Sequence, residues 1–346
     1  MHHTFEREGE VMERSAYFDN AKGLLIFLVV FGHLIQPYTG EAEWIHTLYV
    51  WIYTFHMPAF ILVSGFFAKG SGEKSYILKL VKKLIVPYLI FQLIYTVYYF
   101  FIGKDGWNAG IFYPHWSLWF LFSLFCWHIL LIFFKRIPAK WGLPLAVFAG
   151  IIVGYIGDIG HTFSLSRTIV FFPFFLAGYW LTLPQMMTVK RKAVKVAAIL
   201  ILVAMAIVLH IAPEFNSGWL LASKSYIDLG MEEFGGIARL GVYLAATVMA
   251  VSVLAWIPQK HFGWWTDLGR KTIYVYLLHG FFIQFIREKE LFVVDSVLDI
   301  LGLAVIAAFI VILLSSKLLV AVWQPFIEGK ASILRNLRMQ RKHGHV

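Results

Sequence analysis

The chain has 346 residues, 60% of them hydrophobic, 18% aromatic and only 14% charged, with a mean hydropathy of +0.72. A soluble fold of that size has too little interior to hide so much apolar surface, so a membrane protein is expected. The net charge of +10 comes without a basic and aromatic nucleic-acid module, and the single cysteine, Cys126, rules out an intramolecular disulfide or a cysteine-based metal site.

In chain order, the N-terminus "MHHTFEREGEVMERSAYFDN" is polar and mixed in charge, and the first apolar run lacks a small-residue cleavage site after it, so that run is expected to be retained. Apolar runs then predict ten spans, near 23–40, 44–68, 84–102, 116–134, 141–157, 168–187, 193–211, 236–257, 271–287 and 293–316. With the N-terminus inside, the inner loops and tail hold twenty Lys and Arg against five outside, namely Lys104, Arg167, Lys224, Arg287 and Lys289. The positive-inside rule then predicts both termini in the cytosol of a plasma-membrane protein, its excess charge facing anionic lipid. The expected fold is an all-α integral membrane bundle of about ten transmembrane helices. A cytosolic segment 1–22 precedes a membrane domain 23–325, and a basic cytosolic tail 326–346 follows. Inner and outer loops are short, so any chemistry falls to the membrane domain.

The first span, "YFDNAKGLLIFLVVFGHLIQPY", sets Lys22 and His33 eleven residues apart. On a helix that is about 20° from three full turns and a rise of about 16 Å, so both lie on one face, near opposite ends of the span. An ionisable group inside a span is costly and usually faces a bundle interior or a wet cavity; the alternative is a neutral interhelical histidine with an anchoring lysine. The second span, "WIYTFHMPAFILVSGFF", puts His56 before a Met-Pro step that frees a carbonyl, and its Ser64 and Gly65 permit close helix packing. In "KGSGEKSYILKLVKKLIVPY", Lys79, Lys82 and Lys83 recur at helical spacing, which suits either a phosphate or anionic lipid. There is no Walker loop or dinucleotide fingerprint, so a nucleotide would be held by side chains.

Farther along lie "HWSLWFL", containing His115 and Trp116, and "SRTIVFFPFFLAGY", with Arg167 on the outer rim. Arg239 inside the eighth span stays charged and needs a carboxylate, carbonyls or water; Glu232 and Glu233 stand one to two turns before it. In "WWTDLGRKTIYVYLLHGFF", Tyr276 and His279 share a helical face and Arg270 precedes them.

Together these residues resemble the acyltransferase-3 family of integral membrane acyltransferases, in the branch similar to fucose 4-O-acetylases. The resemblance covers nearly the whole chain and rests on a basic residue followed, after ten others, by histidine (Lys22 to His33), with "FHMP", "SGFF", the basic run before "VPY", "SRT…FFPFFLAGY" and "LGRKTIYVYLLHG" in order. The family often carries arginine where this chain has Lys22 and the basic run, so phosphate contacts here would be point charges rather than forks.

The resemblance implies acetyl-CoA as acyl donor, no metal, and a hydroxyl of a cell-envelope glycan or lipid-linked sugar as acceptor. Lys22, Lys79, Lys82, Lys83 and Arg270 would hold the donor's charged end. His33 would serve as general base or acetyl carrier, Tyr276 and His279 would assist it, and Arg167, His56, His115, Trp116 and Arg239 would line the acceptor side. Two other classes stay open: a transporter or flippase that uses the intramembrane His and Arg, and a non-catalytic scaffold.

Overall fold

The computed structural model describes residues 5–7, 10–12, 15–69, 74–107, 110, 113–157, 164–212 and 215–330. Residues 331–346, most of the expected basic tail, lie outside the described residues, as do parts of the loops 103–115, 158–167 and 212–235. Apart from a short antiparallel ribbon, β1 (Phe5–Arg7) with β2 (Glu10–Met12), every described element is helical.

The first helix, α1 (Ala16–Ile35), starts seven residues before the expected span and continues into a 3-10 turn, Gln36–Tyr38. Hydropathy misplaced its start because Asp19 and Asn20 look like a polar flank, yet both are 1% exposed and packed beside buried Tyr17, Phe18 and Ala21. The second, α2 (Glu43–Phe66), carries Pro58 in its middle. Next, α3 (Lys74–Leu80) runs through a π-turn, Val81–Ile85, into α4 (Val86–Ile102). Pro87 has no N–H to give the carbonyl four residues back; the widened turn, closed by the Val86 N–H on the Val81 carbonyl, absorbs that loss.

The chain continues through α5 (Trp119–Phe134), α6 (Ala139–Ile152), α7 (Leu165–Trp180), α8 (Leu183–Met187), α9 (Lys192–Ile211), α10 (Gly218–Leu221) and α11 (Gly235–Trp256). It ends with α12 (Trp264–Gly269), α13 (Thr272–Glu288), α14 (Val297–Leu314) and α15 (Lys317–Glu328).

Each expected span coincides with a helix. Among the described residues, six segments are long and apolar enough to cross a bilayer: Ala16–Tyr38, Glu43–Phe66, Ser75–Ile102, Lys192–Ile211, Gly235–Trp256 and Val297–Leu314. The other four, α5, α6, α7 and α13, hold 16, 14, 16 and 17 residues. At about 1.5 Å per residue they fall short of about 30 Å of hydrocarbon. The stretch read as one span at 168–187 breaks between α7 and α8, which are bent by 106°. Thr182 caps α8 in a capping box with Gln185, and Pro184 follows at its start.

The membrane segments differ in burial. In α1 and α2, 72% of the apolar window is buried, against 6% in α9, so α1 and α2 form the inner layer and α9 the periphery. A Cβ on Gly65 would meet the Phe175 carbonyl, and one on Gly178 would meet the Leu62 carbonyl. The close approach expected at Gly65 is thus a backbone-to-backbone crossing of α2 and α7.

Candidate functional site

Two polar groups form at opposite ends of α1. At its C-terminal end His33 is partly exposed, and its Nδ1 lies 3.2 Å from the Tyr53 hydroxyl. The lack of a side chain at Gly32, where a Cβ would clash with the Tyr53 ring, lets that ring reach its neighbour. The His33 ring sits 4.2 Å from Trp116 and 5.7 Å from His279, nearly parallel to the latter, and Trp116 is 5.4 Å from His279. The His279 Nδ1 faces the carbonyls of Tyr276 (2.7 Å) and Val275 (3.1 Å), which only accept, so Nδ1 carries the proton and Nε2 is the acceptor. That Nε2 is buried and has no partner among the described residues.

Arg287, on the same helix as His279, donates to the His33 carbonyl (2.5 Å) and to Gln36 Oε1 (2.8 Å), and lies 5.2 Å above Trp116. Three helices, α1, α2 and α13, therefore meet the segment before α5 at one point.

Trp116 is held in the left-handed region, φ 32°, where a bulky residue is strained. Its two neighbours secure it. The His115 N–H donates to Gln92 Oε1 (3.0 Å) and its Nε2 pairs with Thr96 Oγ1 (2.8 Å). On the other side the Tyr276 hydroxyl donates to the Ser117 carbonyl (2.5 Å) and accepts from the Leu121 N–H (3.3 Å). Tyr276 was expected to act on the reacting groups; its hydroxyl is committed to this loop. Burial pushes His115 down to about 4, so it is neutral at physiological pH.

Outside Trp116 opens a cleft of about 310 Å³ whose walls include Tyr99, Lys104, His115, Ser164 and Arg167. Arg167 donates from Nε to the Leu221 carbonyl (3.2 Å) and lies 5.2 Å over Trp119; Lys104 is paired with Glu288.

His56 and Arg239 are not among the residues of this cleft. His56 is buried behind Tyr53, its ring 4.4 Å away and its Nδ1 donating to the Ile52 carbonyl (2.9 Å). Arg239, 2% exposed, donates to the Trp219 carbonyl (2.6 Å) and stacks on the Trp219 ring at 5.3 Å. Glu232 and Glu233, the carboxylates nearest in sequence, are exposed; a carbonyl and an aromatic face take their place.

At the other end of α1, Asp19 accepts from Lys22 (2.8 Å) and from Arg270 Nε (3.1 Å), and Arg270 also reaches Asp267 (3.1 Å). The structure thus joins Lys22 and Arg270 through Asp19. Lys79, Lys82 and Lys83 stand exposed along α3 and the π-turn.

Tyr53, Arg287 and Asp19 were missed as site residues. Tyr53 is visible in the sequence as a polar group one turn before His56. Arg287 was counted only as an outer charge, and Asp19 only as the polar end of a span.

The acyltransferase-domain family matches residues 15–316. Part of the chain is also similar to a nodulation protein, NolL, of Mesorhizobium japonicum, 38% identical over 98 residues, which is 24% of this chain and 25% of that protein. The NolL of Sinorhizobium fredii is 43% identical over 61 residues, 17% of each. The chain thus spans about a quarter or less of the length of these curated relatives. No solved structure matches.

Proposed function

As the chain belongs to the acyltransferase-3 family and carries helices able to cross a membrane, we propose that it moves an acetyl group from cytosolic acetyl-CoA to a hydroxyl of a cell-envelope glycan or lipid-linked sugar at the outer face of the plasma membrane. One observation carries this reading: a pair of cations, Lys22 and Arg270, meets at one end of a single buried helix and, about 16 Å along that helix, a histidine packs on the tryptophan of an aromatic-walled cleft. Coenzyme A has a polyanionic end and a long uncharged arm that fits such a spacing.

In this reading Lys22 and Arg270 meet the phosphates at the cytosolic rim, with Lys79, Lys82 and Lys83 as the exposed approach. The acceptor sugar enters the cleft, where aromatic walls (Tyr99, Trp116) and polar groups (Arg167, His115) offer the mixture that sugars use: faces to stack on and hydrogen-bond partners at the rim. With Nδ1 engaged by Tyr53, His33 Nε2 takes the proton of the acceptor hydroxyl. The oxygen attacks the thioester carbonyl carbon, the C–S bond breaks, and the imidazolium returns its proton to the departing thiolate. Arg287, a fixed cation on the His33 carbonyl, favours the negative charge that develops on the carbonyl oxygen. His56 packs behind Tyr53, and Arg239 ties α11 to α10.

The test is acetyl transfer by purified protein in liposomes from labelled acetyl-CoA to an envelope oligosaccharide. His33→Ala should lose roughly 10²- to 10⁴-fold in rate at an unchanged protein level in the membrane. Wild-type transfer by that variant would remove His33 from the mechanism, and a wild-type protein that moves sugar but never acetyl would replace the enzyme by a transporter.

A further inference from the structure

We propose that Asp19 is the positioning residue of the donor end: it gathers Lys22 and Arg270 into one phosphate-facing pair. This rests on the reading of those two cations as donor contacts. The Asp19 residue is 1% exposed, and each of its oxygens serves a different cation, Oδ1 with Lys22 and Oδ2 with Arg270. A buried carboxylate is expensive unless it is paired, so these contacts are not the loose surface bridges that contribute little.

Both cations keep an outer edge, their side chains 22% and 40% exposed. They come from segments far apart in the chain, α1 and the end of α12. Asn20, the next residue, clamps the loop that delivers Arg270. Its Nδ2 donates to the carbonyls of Pro258 and Lys260 (2.9 Å each), and its Oδ1 accepts from the Thr266 hydroxyl (2.7 Å). Gly269 lies against the Asp19 backbone with no room for a Cβ.

The consequence is preorganisation. Lys and Arg are long, rotamer-rich side chains, and each must be ordered when it grips a phosphate. Asp19 orders both before the ligand arrives and sets their spacing. Two carboxylates, Asp19 and Asp267, accompany the two cations at this site. Its grip on an anion depends on aligned N–H groups more than on net charge, so loss of alignment is felt specifically by the donor.

The experiment compares full-length wild type, Asp19→Asn and Asp19→Glu in liposomes. It measures initial rates against acetyl-CoA and, separately, against acceptor, with inhibition by adenosine 3′,5′-bisphosphate as a probe of the charged end alone. Asp19→Asn should raise KM for acetyl-CoA and Ki for the bisphosphate together, by roughly tenfold, the effect of losing about one charge-assisted contact. Its kcat and acceptor KM should stay near wild type, and Asp19→Glu should recover part of the loss. If Asp19→Asn folds poorly, the Asp19→Glu variant alone decides, since it keeps the charge and changes the spacing: an unchanged donor KM and Ki would overturn the proposal. Equal losses in kcat and both KM values would also overturn it, as the mark of a merely structural carboxylate. A wild-type protein with no acetyl-CoA-dependent transfer and no binding of the bisphosphate would instead bring down the donor reading itself.

Discussion

Trp116 shows how a residue can be placed by its neighbours rather than by its own preference. A left-handed tryptophan costs about 1–3 kcal/mol, and the bonds made by His115 and by Tyr276 to the Ser117 carbonyl hold the backbone on either side of it. His115 makes this restraint sensitive to pH. Its folded-state value lies at about 4, below the ordinary value of about 6.5. The unfolded chain therefore takes up the proton first as pH falls. The stability that neutral His115 contributes is complete above about 6.5 and is lost as pH drops toward 4. The melting temperature of the detergent-solubilised protein should fall across that window, and His115→Gln should flatten the fall. A variant with the same slope as wild type would show that other groups are responsible.

Among elements, the α2–α7 crossing is a backbone-to-backbone contact that positions the site, because α2 carries Tyr53 and α7 carries Arg167 in its first turn. Its closeness depends on Gly65 and Gly178 facing opposing carbonyls. Gly178→Leu should force the helices apart and destabilise the protein by about 1–3 kcal/mol or more, lowering the melting temperature and acetyl transfer together. Gly302→Leu, placed where a Cβ meets nothing within 4 Å, is the matched control and should leave both near wild type. Equal effects at the two sites would mean that side-chain bulk, and not the crossing, is being measured. The π-turn before α4 is a similar case. The basic run and Pro87 were plain in the sequence, but the widened turn follows from the backbone bonding that proline forbids.

For the whole molecule, the reading of ten spans places every second loop on the same side, with Lys224 outside and Gln259 inside; both are exposed. In a Cys126→Ser background, Lys224→Cys should react with a membrane-impermeant thiol reagent in intact cells, and Gln259→Cys only after permeabilisation. Labelling of both from outside would defeat the ten-span topology, and with it the cytosolic donor. Four of the ten helices are too short to cross alone, which is consistent with an inner layer of α1 and α2 whose neighbours wrap it incompletely.

Much of this was legible in the sequence by itself. Composition and apolar run length determined membrane embedment and the helix positions, since both reflect the local cost of placing side chains in hydrocarbon. Helical spacing put Lys22 and His33 on one helix and one face. Tertiary structure alone decided their partners. Asp19 meets Arg270 across 251 positions, and His33 meets Arg287 across 254. Arg239 donates to a carbonyl twenty residues back and not to the glutamates nearer to it. The physical reason is that a polar group in a bundle must find its partner wherever the packing brings one, and periodicity within a single helix carries no record of what the other helices present to it.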